Sequence, residues 1–231
     1  MTQQFDYIGR GVYSLREASR LARVPAPRLR RWTRGYRFFY KGEFRFSPPP
    51  VASVTPPFEE EPVVSFADLL EVRFLNAFRE YGVSWKAIRV ASANAKELLG
   101  RHHPFSSRIF KTDGHTILAE ITRTTGDRFL LDLVQNQYEF ERIVTPLLYA
   151  GIEYNLDQEP SRWWPLGESR QVVIDPSRAF GAPIIAQEGV PTRVLTNAFE
   201  AERSIDLVAA WFDVEPGAVR DAIDFEYSLA S

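Results

Sequence analysis

The chain has no cysteine. That excludes disulfides, thiolate metal sites and a cysteine nucleophile, and it fits a cytoplasmic protein. No apolar run is long enough to cross a membrane and no signal peptide opens the sequence, so no membrane partner is expected. Histidine is scarce, with His102, His103 and His115 the only three. Adjacent side chains on a loop rarely reach one ion, so the pair His102-His103 is read as structural or surface rather than metal-binding. No nucleophile–base pairing, phosphate-binding Gly loop or metal constellation is visible. The chain is therefore read as a non-enzyme that needs no cofactor.

What the chain does have is charge, unevenly placed. Its 231 residues carry a net charge of -2. Residues 1–57 nevertheless hold eleven Arg and Lys against three acids, a net of +8, which leaves -10 for the remainder. A basic segment joined to an acidic one predicts that the first meets nucleic acid and the second meets protein.

The basic segment is organised around SLREASRLARVPAPRLRRWTRGYR, residues 14–37. Ser14 and Glu17 form a capping-box pattern, and Leu15, Ala18, Leu21 and Ala22 give one apolar face at helical spacing. Val24 and Pro25 break the pattern, and Pro at the start of the second helix costs little because its missing N–H would go unpaired there. Leu29 and Trp32 face inward in that second helix, leaving Arg28, Arg30, Arg31 and Arg34 outside. Arg-rich surface helices are common, but a short helix with a nearly all-Arg face suits a DNA groove, where Arg binds phosphates and the guanine edge. Next, Tyr36 to Phe46 alternates aromatic and basic residues around Lys41-Gly42, which predicts a β-hairpin whose cations, Arg37, Lys41 and Arg45, meet phosphates.

Tyr13-Ser14-Leu15-Arg16-Glu17-Ala18, Leu29-Arg30-Arg31-Trp32 and Gly35-Tyr36-Arg37 resemble the N-terminal winged helix-turn-helix of the MerR superfamily. That resemblance implies that the second helix enters the major groove and that Arg30 and the wing residue Arg37 touch DNA. Pro25 and Pro27 depart from the family pattern. The full expected DNA site is Arg16, Arg28, Arg30, Arg31, Arg34, Tyr36, Arg37 and Lys41.

Six prolines between Ser47 and Pro62 deny that stretch a helix or a central strand and predict an extended connection. Ser65 caps a helix from Phe66 to Tyr81, Gly82 ends it, and Ser84 caps another from Trp85 to Leu99. These helices also resemble those that follow the MerR wing. Ile109 to Val134 reads as strands, with Asp113-Gly114 as a hairpin turn. A helix from about Tyr138 to Leu148 follows, then a second hairpin from Ile152–Tyr154 and Arg162–Trp164. Trp163 and Trp164 are expected to be buried rather than to stack on bases.

In the last segment, VVIDPSRAFGAPII (residues 172–185) reads as strand, turn and strand. Three helices are expected after it, at about Arg193–Glu202, Ser204–Phe212 and Pro216–Leu229, with Ala209, Phe212, Val219, Ile223 and Tyr227 as core. Ile174-Asp175-Pro176, Gly181-Ala182-Pro183-Ile184-Ile185, Val190-Pro191-Thr192 and the later Ser204, Val208, Phe212 and Val219 resemble the small helix-turn-helix-like domain of VapB-type antitoxins. Members of that family usually carry Gly-Thr-Arg before the Val-Pro pair, where this chain has Gln187-Glu188-Gly189. From Asn197 onward there are eight acids against two Arg, which makes this domain a poor DNA binder and suits it to dimerise or to cover a basic partner.

The expected fold class is α+β. It comprises a winged helix-turn-helix at 1–46, a Pro-rich linker at 47–64, a mixed middle region with β-hairpins at 65–165, and a trihelical helix-turn-helix-like domain at 166–231. The two resemblances together imply a cytoplasmic homodimeric antitoxin that represses its own operon by binding operator DNA. It would also neutralise a VapC-type toxin, a PIN-domain ribonuclease. Trp211, Phe212, Asp221, Asp224, Phe225 and Tyr227 are the expected toxin or dimer contacts. The rival expectation is a stand-alone MerR-like transcriptional regulator whose acidic half senses a ligand.

Overall fold

The computed structural model describes residues 7, 9–51, 53, 55–57, 61–126, 135 and 150–229. The chain mixes helices with small sheets and divides into two compact units. The basic unit takes Tyr13–Tyr149 and Tyr154–Pro160; the acidic unit takes Met1–Val12, Ala150–Glu153 and Ser161–Ser231. No helix among the described residues is long and apolar enough to cross a membrane.

In the basic unit, β1 (Val12–Ser14) leads into α1 (Leu15–Ala22) and α2 (Ala26–Arg34). The expected capping box starts α1: Ser14 Oγ accepts from the Glu17 N–H at 3.2 Å, and the Glu17 carboxylate accepts from the Ser14 N–H at 2.9 Å. Arg23 closes the helix in the left-handed conformation, φ 55°, and Ser19 Oγ donates to the Val24 carbonyl at 2.6 Å, which fixes the turn into α2. Leu29 and Trp32 are buried, as their spacing predicts.

The wing follows at once as β2 (Tyr36–Tyr40) and β3 (Glu43–Ser47), antiparallel, with Lys41-Gly42 at the turn. The helix-to-wing junction depends on Gly35. Its φ of +72° suits glycine, and a Cβ there would lie 2.5 Å from both the Phe46 ring and the Ser47 carbonyl oxygen.

The Pro-rich stretch is extended where described, and it is fastened down rather than free. The Val51 N–H donates to the Trp32 carbonyl at 3.1 Å, and Ser92 Oγ and Lys96 Nζ both donate to the Pro50 carbonyl. It ends in β4 (Val63–Ser65), a short strand that the sequence does not announce and that pairs with β1.

Three helices complete the basic unit's core: α3 (Phe66–Glu80), α4 (Trp85–Leu99) and α5 (Arg108–Thr125). The first two lie where the caps Ser65 and Ser84 predict. Helix α5 corrects the expectation of a hairpin at Asp113-Gly114. Ser107 caps it, and Phe110, Ile117, Leu118 and Ile121 are buried at helical spacing. Gly114 serves packing rather than a turn, since a Cβ there would meet the Phe110 ring at 3.1 Å. Phe110 in turn packs edge-to-face with Phe105 and Phe78. The expected strand at Arg128–Val134 and the helix at Tyr138–Leu148 lie outside the described residues.

The acidic unit is built on a four-stranded sheet in the order β5 (Ile152–Tyr154), β6 (Pro160–Trp163), β7 (Val172–Ile174) and β8 (Pro183–Ile185). Trp163 is buried, and Trp164 Nε1 donates to Glu153 at 2.7 Å. Asp175 shapes the turn after β7 by accepting from the Ser177 N–H and hydroxyl and from Arg162 Nε. Burial opposes its ionisation, but Ser177 and then Arg162 outweigh burial and hold the carboxyl below its ordinary value.

Helices α6 (Thr192–Glu202), α7 (Ile205–Phe212) and α8 (Pro216–Ser228) follow. Ser204 caps α7, and Pro216 occupies the first turn of α8. Val208, Ala218, Val219, Ala222 and Phe225 are buried with Ile184, Ile185 and Leu195. Two expected core residues differ: Phe212 is half-buried and Tyr227 is exposed, because Val208, Ala222 and Phe225 fill the inward positions.

Candidate nucleic-acid interface

The predicted cations of α1, α2 and the wing are exposed, Arg34 excepted. Arg28, Arg30 and Arg31 are exposed on α2, Arg16 on α1, and Arg37 and Lys41 on the hairpin. Several lie over rings that limit their motion. Arg28 sits 6.0 Å from the Trp32 ring centroid and Arg31 5.7 Å from that of half-buried Tyr36. Lys41 and Arg45 both approach Tyr40, at 5.5 and 5.1 Å. A guanidinium resting on a ring keeps its N–H groups free in the ring plane while losing rotamer freedom, which preorganises it for phosphate or base edges. Trp32 itself stacks on Trp85 of α4 at 5.2 Å and 15°, so α2 is held by a ring-on-ring contact beneath its exposed cations. Behind it, burial and then the neighbouring Arg23 cation push half-buried Arg73 of α3 down to about 10.

Arg34 does not belong to this outer face, as its place in the helix had suggested. Its Nη2 donates to the Thr55 and Val63 carbonyls at 3.1 and 2.8 Å. Its head therefore ties the Pro-rich strap to α2.

Sequence reasoning missed a cleft of about 630 Å³ lined by Pro48–Pro50, Trp85, Lys86, Arg89 and Lys96. Burial lowers the Lys96 ammonium below its ordinary value, with the charges of Glu71 and Asp68 opposing. No spacing rule could have found it, because strap and helix are more than thirty residues apart. The loop pair divides: His102 is exposed, whereas His103 turns inward and meets Asp68 Oδ1 at 2.8 Å.

The expected partner-binding residues of the acidic unit also divide. Trp211 and Tyr227 are exposed, at 57% and 46%, and so is Leu207, one turn before Trp211 on α7. Phe225 is 2% exposed and belongs to the unit's own core, so it offers no surface to a partner. Asp221 and Asp224 are already engaged by Arg170, at 2.5 and 2.6 Å. Their hydrogen bonds and charge raise its guanidinium above its ordinary value.

Comparison with known proteins matches both ends of the chain. Residues 11–92 match a family described as "Putative DNA-binding HTH domain", and residues 172–225 match one described as "Protein of unknown function (DUF433)". Over 224 residues the chain is 30% identical to a protein of Mycobacterium tuberculosis (strain ATCC 25618 / H37Rv) described as "Putative antitoxin VapB45", with 92% of each chain covered. The fold is similar to the crystal structure of Rv2018 from Mycobacterium tuberculosis, with a TM-score of 0.69, 26% identity, and coverage of 92% of this chain and 97% of that one.

Proposed function

This chain belongs to the VapB45 antitoxin family, and from that premise we propose that it neutralises a PIN-domain ribonuclease toxin of the VapC type and represses its own operon as a homodimer. The observation that carries the reading is the division of labour along one antitoxin-like chain: a helix-turn-helix with bare cations at one end, and an acidic unit with exposed Trp211 at the other. In this reading α2 enters the major groove and the wing grips flanking phosphates, in the MerR manner. The toxin's RNA-binding surface has to be basic, and the acidic unit covers it by occupancy and charge. The protein acts by binding and occlusion rather than by chemistry.

The test is a pull-down of the tagged, nuclease-treated protein from its own cells, with co-purifying proteins identified by mass. A small basic ribonuclease in fixed ratio is the expected result, and Trp211→Glu should release it. A bare homodimer would instead favour a stand-alone regulator.

For DNA, Arg30→Ala should cost about 1–3 kcal/mol if Arg30 reads a base edge, while Lys41→Ala should lower the slope of affinity against salt by about one. Binding isotherms at several salt concentrations check both. Parent-like behaviour of the two variants would remove the winged-helix assignment.

A further inference from the structure

The wing carries more exposed aromatic surface than gripping phosphates requires. Its register places Phe39 opposite Phe44 and Arg37 opposite Phe46. Opposed residues share a face, and the face alternates along each strand. One face therefore presents Arg37, Phe39, Phe44 and Phe46. Phe46 lies against Gly35 at the root of the hairpin. Phe39 and Phe44 lie toward the tip, edge-to-face at 5.2 Å, and are 64% and 78% exposed. The fold makes little use of these two rings.

Their surroundings indicate what does use them. Arg37, Lys41 and Arg45 stand on the same hairpin, with Glu43 its only acid. The hairpin continues directly from α2 through Gly35, and Arg37 shares the face of the two rings. Exposed apolar rings flanked by cations suit a partner that is anionic outside and stacked and apolar inside. Duplex DNA has that construction, and apolar side chains that enter its minor groove unstack and kink base steps.

We propose that Phe39 and Phe44 form a wedge that enters the minor groove flanking the site of α2 and opens one base step, with Arg37 and Lys41 on the phosphates to either side. The inference rests on the DNA-binding reading above and adds a bend to it. It also adds a preference at a position with no hydrogen-bonded base contact. Pyrimidine–purine steps such as TA unstack most readily, so they should be favoured under the wing.

The experiment uses the full chain and a 40-base-pair duplex selected by it from a random pool. Dyes at the two ends report bending, and 2-aminopurine at the flanking step reports unstacking. The parent should shorten the end-to-end distance and brighten the 2-aminopurine severalfold. Phe39→Ala/Phe44→Ala should lose both signals and bind roughly tenfold to a hundredfold more weakly, a loss of about 1.4–2.7 kcal/mol. Its melting temperature should be unchanged, because the rings are exposed. Phe39→Leu/Phe44→Leu should keep part of the bend. Arg30→Ala, brought to saturation, should bend DNA like the parent, which separates groove reading from wedging. A double-Ala variant that bends and unstacks DNA like the parent overturns the wedge and leaves DNA binding standing. So does a variant whose only loss is self-association or a co-purifying protein, which would make the wing a protein interface. Failure of the parent to select any duplex overturns the DNA reading and the wedge together.

Discussion

Gly35→Ala should lower the melting temperature of the basic unit by on the order of 10 °C and abolish tight DNA binding. Two effects add. A side chain at φ +72° and ψ -175° enters backbone space that essentially only glycine occupies, a cost of about 1–3 kcal/mol. The new methyl group would also sit 2.5 Å from the Phe46 ring and from the Ser47 carbonyl oxygen, and forcing such contacts costs about 1–3 kcal/mol more. The Phe46 ring could swing away, but the Ser47 carbonyl is backbone at the end of β3, and Ser47 Oγ also accepts from Arg89 at 3.1 Å. Relief therefore moves the wing relative to α2, which misaims Arg37 and Lys41. Calorimetry and DNA titration of the same preparation give both readouts. The acidic unit should still capture its partner. A variant that melts and binds like the parent would mean that the junction is more pliant than its geometry allows.

The same junction shows what the sequence makes legible. Helix starts could be read because each depends on a residue pair close in sequence: Ser14 with Glu17, Ser65 with Asp68, Ser84 with Ala87. The wing turn was legible for the same reason. At Asp113-Gly114 the dipeptide and the period point to different structures, and the helix of the period forms. Asp-Gly is a strong turn signal in isolation, yet Phe110, Ile117, Leu118 and Ile121 follow the helical repeat, and the glycine answers to the Phe110 ring one turn away. Tertiary packing decided the conformation, and a local rule has no access to that.

The site divides in the same way. Arg28, Arg30 and Arg31 are exposed, as helical periodicity predicts, and so are the hairpin cations Arg37 and Lys41. Arg34 was lost to carbonyls 21 and 29 residues away. Phe225 is core rather than the expected surface, because an acidic helix with aromatic residues gives no clue to which ring its sheet covers. His103 is the clearest case. Its neighbour suggested a loop pair, whereas its partner lies 35 residues earlier.

That partner supplies the second large effect. Asp68→Ala should destabilise the basic unit by about 3–5 kcal/mol, the range for breaking a buried ionic pair. Asp68 is 1% exposed and answers to three segments. It accepts from the Ser65 N–H at the start of α3, from Ser53 Oγ of the strap, and it meets His103 Nε2. Burial opposes its ionisation, but His103, Ser53 and Ser65 together hold the carboxyl below its ordinary value. Burial likewise opposes charge on His103, while the Asp68 hydrogen bond and the charges of Asp68, Glu71 and Glu159 raise the imidazole above its ordinary value. Glu71, fully buried beside them, is raised by burial despite the His103 charge and the N–H groups of Ser106 and Phe105. The signs follow. A raised imidazole stabilises the fold fully below about pH 6.5, and that contribution is lost as pH climbs through its folded value. Raised Glu71 acts in the same sense, from about pH 4.5 upward. Lowered Asp68 contributes above about pH 4 and is lost as pH falls through its folded value. The melting temperature of the basic unit should therefore begin to decline above about pH 4.5 through Glu71 and decline more steeply above about pH 6.5 through His103, and His103→Gln should flatten that second stage while lowering the maximum. An unchanged slope in His103→Gln would assign the decline to Glu71 alone, and an undiminished melting temperature in Asp68→Ala would deny that the cluster holds strap, helix and loop together.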